Sequence, residues 1–134
     1  MAKKWNWIDR NILLLLHDES LASHGGASGI RDEGLLDSAL SRPLNLAVYG
    51  KPDIAELAAS YAFGLAKNHP FVDGNKRAAF LSIGLFLYVN GKVLTASQAD
   101  ATLTIMAVAA GERTEADLAT WIRNHLAPRK PKKK

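Results

Sequence analysis

Nine consecutive residues, His69-Pro70-Phe71-Val72-Asp73-Gly74-Asn75-Lys76-Arg77, hold most of the reactive chemistry in this chain. His69 offers an imidazole, the side chain best suited to take a proton near neutral pH. Asp73 offers one carboxylate, and a single carboxylate combined with phosphate oxygens is a common way to hold Mg²⁺. Lys76 and Arg77 put two cations in what reads as the first turn of a helix. That placement breaks a rule, because a helix N-terminus carries four unpaired N–H groups and a partial positive charge, so a cation there costs a few tenths to about 1 kcal/mol. Elsewhere the rule is kept: Asp53 to Glu56, Thr95 to Gln98 and Thr114 to Asp117 each fit a capping box. A local conflict in an otherwise consistent sequence marks a functional site. Free N–H groups, two cations and Gly74, which lets a ligand approach the backbone, make an anion site whose obvious guest is a phosphate.

Each of these residues also has a plain structural reading. Phe71 is an anchor that buries the loop, and Pro70 stiffens the approach to it. Gly74 alone would be a turn glycine, and His69 alone a structural histidine; the spacing with Asp73, Asn75 and Arg77 favours catalysis. His17 and His24 read as structural, one a satisfied core histidine and the other a partner for a helix C-terminus. The Gly25-Gly26-Ala27-Ser28-Gly29 run lacks the spacing of a nucleotide fingerprint and reads as a tight connector.

The elements that must position the motif are helical. From Asn75 to Asn90 nearly every residue after the first turn is apolar, which predicts a helix enclosed by others and stopped at Asn90-Gly91. Asp53 begins a helix that delivers the chain to His69, with Ile54, Leu57, Ala58, Tyr61, Ala62 and Leu65 facing inward. Lys4 to Ile8 is a short extended lead-in. A first helix runs from Asp9 to His24, burying Ile12 to Leu16 and Leu21, and a second opens at Asp32-Glu33 and closes before Pro43. Pro43 to Pro52 alternates apolar residues between prolines and predicts an extended segment. Lys92 to Leu94 forms a small strand, Thr95 leads a helix through Ala99, Leu103, Ile105, Met106 and Ala109, and a last helix spans Glu115 to His125. The expected fold is all-α, a compact single-domain bundle of about six helices around residues 75–90.

Composition narrows the function. At 134 residues, 48% hydrophobic and 22% charged, the chain suits one soluble domain with a real core. The absence of cysteine excludes disulfides, thiolate metal sites and a cysteine nucleophile, and fits a cytoplasmic setting. No apolar run reaches the roughly 20 residues that cross a bilayer, so no membrane association is expected. The net charge of +4 suggests nucleic acid until it is located: five of the 17 Lys and Arg residues lie between Arg129 and Lys134, leaving 12 against 13 acidic residues in the body. The division is therefore a domain over 1–127 and a basic, disordered tail over 128–134, with no direct nucleic-acid contact expected.

The nine-residue motif resembles the signature of Fic-domain proteins, and Lys76 resembles the Doc (death-on-curing) branch. Softer similarity extends through Leu16-His17-Asp18, Gly25-Gly26, the Asp32 to Pro43 helix and Phe63 to Asn68, to about Leu94. The resemblance implies a catalytic set of His69, Asp73 and Arg77, with His69 as general base toward a hydroxyl of a target protein. It implies Mg²⁺ held by Asp73, and ATP as co-substrate held at Gly74, Asn75, Lys76 and Arg77. It would make Leu46 to Tyr49 a flap that pairs with the target's backbone, against the equal reading of a surface loop. The common Fic pattern has Gly where Lys76 stands and a second arginine where Phe80 stands; that arginine serves the far phosphate in AMP transfer. Both departures match the Doc branch, which implies a reversed nucleotide and transfer of the γ-phosphate to a threonine of elongation factor Tu, arresting translation. No helix carries the Fic inhibitory pattern, so restraint would come from a cognate antitoxin. The alternatives are a Fic-type AMP transferase and a non-catalytic Fic-like binding module.

Overall fold

A computed structural model describes residues 4–130. The element order is α1 (Arg10–His24), α2 (Glu33–Tyr49), α3 (Ile54–Asn68), α4 (Asn75–Val89), β1 (Lys92–Leu94), α5 (Gln98–Ala109), α6 (Glu115–Arg123) and β2 (Leu126–Pro128). Five of the six helices begin under a side-chain cap, from Asp9, Asp32, Asp53, Ser97 and Thr114, each accepting from backbone N–H groups of its first turn. The exception is α4, which starts at Gly74 with no side-chain cap. Asp53 is further engaged by Arg123, whose Nε donates to its carboxylate at 2.7 Å. Burial pushes the Asp53 carboxyl up, but the Arg123 guanidinium and the Glu56 N–H more than offset it and hold the group below the usual carboxylate range.

Among the described residues the bundle is all-α apart from one antiparallel strand pair, in which Lys92 faces Pro128 and Leu94 faces Leu126, and one isolated bridge between Ile30 and Phe71. Two helices share its centre. α3 is the more enclosed, with ten buried residues from Ala55 to Ala66, and α2, α4, α5 and α6 all pack on it. α4 buries Ala78, Ala79, Ser82, Ile83, Phe86 and Leu87 against α3 and leaves Gly84 and Tyr88 in solvent, so its apolar sequence is not wholly covered. The lead-in has no regular structure, but Trp5 and Trp7 pack their rings about 6 Å from Phe86 and the Ile8 N–H donates to the Tyr61 hydroxyl at 3.1 Å.

Several expectations need correction. α2 does not close before Pro43 but continues as helix to Tyr49, so the extended segment and the Leu46 to Tyr49 flap are absent. A proline inside a helix costs about 3 kcal/mol. Here Leu36, Ala39, Leu40, Pro43, Leu46 and Ala47 recur at three- and four-residue spacing and bury or half-bury one continuous stripe, which offsets that cost. In α1 the inner face is Leu13, His17 and Leu21, while Ile12 and Leu15 are 47% and 59% exposed, because the helix packs mainly on α4 and needs only a narrow stripe. In α5, Ala101, Thr104, Ile105 and Val108 face inward and Leu103 and Met106 outward, with Ser97 rather than Thr95 as the cap. Pro128 closes β2, and Arg129 donates to the Tyr88 carbonyl at 2.6 Å, so the chain is placed beyond residue 127. Of the expected tail, residues 131–134 lie outside the described residues.

α2 and α3 approach closely at Gly64, where a Cβ would stand 3.0 Å from Cδ of Arg42 and 3.1 Å from both the Cα and the Cβ of Ala39 on α2. Gly64→Ala is therefore expected to destabilise the fold by about 1–3 kcal/mol through overpacking. A denaturant midpoint equal to that of the parent protein would show that the two helices can part without penalty.

Candidate functional site

α3 ends at Asn68 and the next residue, His69, takes left-handed φ 52, ψ 54, the only non-glycine residue with positive φ among those described. Such a conformation is strained for a side chain of this kind and is found where surrounding contacts enforce it. Pro70 and Phe71 then bury the loop, with the Phe71 ring stacked 4.0 Å from the imidazole of His17. Asn75 closes the turn with its side-chain amide: Oδ1 accepts from the Phe71 N–H at 2.9 Å and Nδ2 donates to the Phe71 carbonyl at 3.1 Å. The imidazole of His69 itself stays exposed and, among the described residues, takes no hydrogen bond.

Two distant segments hold this loop. From α1, His17 Nε2 lies 3.0 Å from the Asp73 carbonyl, and because a carbonyl only accepts, that nitrogen carries the proton. From the connector between α1 and α2, the Ala27 N–H donates to Asp73 Oδ2 at 2.7 Å, Ile30 bridges to Phe71, and the N–H groups of Arg31 and Asp32 both reach the Pro70 carbonyl. The Arg31 side chain donates to the carbonyls of Asn68 and His69. The glycine-rich run is thus a connector, as its spacing implied, but one laid directly against the motif.

The start of α4 is open. Gly74 has φ 75, and the first intrahelical bond runs from Ala78 N–H to its carbonyl at 2.8 Å. The N–H groups of Asn75, Lys76 and Arg77 therefore lack a helical partner. Gly74 is required by its conformation and because a Cβ would stand 2.9 Å from His17 Nε2, so a ligand is not needed to explain it. Lys76 is exposed and Arg77 half-buried, and together with Phe80, Thr102, Ile105 and Met106 they line a cleft of about 230 Å³ between α4 and α5. A larger hollow of about 470 Å³ touches the loop at Phe71, but Asp18 and Glu33 line it and disfavour an anion. Asp73 is exposed with one carboxylate oxygen uncommitted. Among the described residues no cluster of three His, Asp or Glu side chains surrounds a point fit for a metal, so a cation at Asp73 would need oxygens from a ligand.

All six residues singled out by spacing lie on this one loop and helix start. Asn75 differs from its expected use, since its amide is committed to Phe71 and only its N–H faces the open turn. Sequence reasoning missed Arg31 and the Ala27 N–H, which act across gaps of dozens of residues that no local pattern reveals. It placed His17 correctly as a satisfied core histidine, without seeing that its partner is the motif itself.

Comparison with known proteins adds an independent line. Residues 7–87 match the family model described as the Fic/DOC family. The protein named Toxin Doc from Mycolicibacterium smegmatis (strain ATCC 700084 / mc(2)155) is 45% identical over 75 residues, covering 54% of this chain and 57% of that protein. The chain thus matches little more than half the length of that relative. The protein named Protein kinase doc from Escherichia phage P1 is 35% identical over 112 residues, covering 83% of this chain and 88% of that protein. No described helix is long and apolar enough to cross a membrane.

If His17 is what seats the loop, His17→Ala should lower stability by about 2–4 kcal/mol, through the lost ring contact with Phe71 and the Asp73 carbonyl left without its donor. Amide hydrogen exchange at residues 71–75 should accelerate in the same variant. Unchanged exchange there would mean the loop is held by the connector alone.

Proposed function

This chain belongs to the Fic/DOC family, in its Doc branch, and on that footing we propose that it is a Doc-like toxin. Its reaction is transfer of the γ-phosphate of ATP to a hydroxyl of a translation factor, with a threonine of elongation factor Tu as the target. The observation that carries this reading is the uncapped, cationic start of α4 directly behind a loop bearing an exposed imidazole and a half-free carboxylate.

In this proposal the target's hydroxyl oxygen attacks the γ-phosphorus, the bond from that phosphorus to the β–γ bridging oxygen breaks, and ADP leaves. His69 takes the hydroxyl proton as general base. Lys76, Arg77 and the N–H groups of Asn75 to Arg77 receive the phosphates, with Gly74 shaping the turn. The Asn75 side chain contributes by keeping the loop closed. Asp73, through its uncommitted oxygen, would hold a Mg²⁺ ion, which neutralises phosphate charge when bound. Little else is needed, since positioning and charge neutralisation supply most of the rate in phosphoryl transfer.

Two observations favour γ-phosphate over AMP transfer. The wall beyond Arg77 is Phe80, Ile105 and Met106, apolar groups that suit a nucleoside better than a run of phosphates. The phage P1 relative, aligned over most of both chains, is named a protein kinase. Such an activity would be toxic unless restrained, and the proposed partner is a cognate antitoxin in the same cytoplasm.

The test incubates the protein with a translation-factor extract and ATP labelled at the α or the γ phosphate, with His69→Ala as control. Label from γ on a protein band is expected, falling by about 10²–10⁴-fold in the variant. Label from α would identify an AMP transferase. Absence of label from both would leave a non-catalytic binding module.

A further inference from the structure

The candidate base occupies a left-handed backbone conformation at the end of α3, before a residue that cannot complete the usual helix ending. In the Schellman form of helix ending, the N–H of the residue after the left-handed one bonds back to a carbonyl of the last turn, beside a bond from the left-handed residue's own N–H. Here the following residue is Pro70, which has no N–H to give. The carbonyls at the end of α3 are instead served from 38 residues away: Arg31 Nε and Nη2 donate to the His69 carbonyl at 2.8 and 2.5 Å, and Nη2 also donates to the Asn68 carbonyl at 3.1 Å. A guanidinium fits this task because its donors form a planar fork and its charge complements the negative end of the helix dipole. Neighbouring contacts keep the fork in place: the Arg31 N–H reaches the Pro70 carbonyl at 2.7 Å, and Asn68 Nδ2 donates to the Leu35 carbonyl at 3.0 Å.

We propose that Arg31 is a positioning residue for His69, clasping the Asn68 and His69 carbonyls and so fixing the left-handed backbone from which the imidazole is presented. Proline and arginine form a matched pair in this account. Pro70 removes the Schellman donor, and the guanidinium adds donors of its own to the Asn68 and His69 carbonyls, from the connector that also grips Asp73 through the Ala27 N–H. Base and carboxylate are thereby referred to the same short segment, residues 27–31, and hold their relative placement through it. Arg31 touches no reacting atom. Its loss should leave the phosphate site at the start of α4 intact while the base drifts.

The proposal rests on the phosphotransfer reading for its kinetic test, so a second readout independent of activity is included. In Arg31→Ala, kcat for γ-label transfer is expected to fall more than tenfold while KM for ATP moves less than threefold. The ¹³Cα chemical shift of His69 should move away from its left-handed value. Arg31→Lys, which keeps the charge but not the fork, should fold normally and fall between the two on both measures. A folded Arg31→Ala protein whose His69 shift matches wild type would overturn the proposal whatever its activity, and so would a kcat within twofold of wild type. If the wild-type protein transfers no phosphate, the reaction assignment fails and the chemical shift alone decides the role of Arg31.

Discussion

An α-helix that begins without a side-chain cap leaves backbone N–H groups asking for a partner, and the site in this chain is arranged about that demand. Five helices answer it locally with Asp, Ser or Thr. At α4 the cap is glycine, the next residues are Asn75, Lys76 and Arg77, and no acidic residue occupies the first turn. Positive charge is thus concentrated where the helix dipole is already positive, an arrangement that an anion stabilises and its absence leaves unfavourable. The stability lost at this turn is supplied by the rest of α4, whose Ala78, Ala79, Ile83, Phe86 and Leu87 are fully buried.

Holding such a turn open requires that the loop before it should not collapse onto it. That is the task of the long-range contacts. His17 fills the space behind Gly74 and binds the Asp73 carbonyl, Phe71 is clamped between His17 and the Asn75 amide, and the connector at 27–32 fastens the outer edge from Asp73 back to Asn68. His17, Asn75 and Arg31 occupy the carbonyls of Asp73, Phe71, Asn68 and His69, and the Ala27 N–H holds the Asp73 carboxylate away from the start of α4. The side chains left uncommitted, the His69 imidazole and one oxygen of Asp73, are those that the proposed chemistry uses.

Much of this was legible in the sequence because it is local. The capping boxes at Asp53 and Thr114, the uncapped cationic start at Lys76-Arg77 and the Asn90-Gly91 stop are patterns within a few residues, and they mark the helix boundaries correctly. What was not legible depends on tertiary packing. The propensity of Pro43 to end a helix loses to a stripe running from Leu36 to Ala47, so α2 is about two turns longer than its proline suggests. The buried face of α1 differs from expectation because the run from Ile12 to Leu16 is apolar all round, and only the position of a neighbour decides which residues are covered. Arg31 carries no sequence signal at all; its contact with the His69 carbonyl depends on a fold that brings residue 31 to residue 69.

The central claim is that the N–H groups of Asn75, Lys76 and Arg77 are kept free for the phosphates of a nucleotide. Titrating ¹⁵N-labelled protein with ATP and Mg²⁺ and following the backbone amide resonances addresses it without reference to any target. The account predicts saturable shifts largest at residues 75–77, with Phe80 and Ile105 responding along the adjoining cleft. Titration to saturating nucleotide with those three amides unmoved would contradict it.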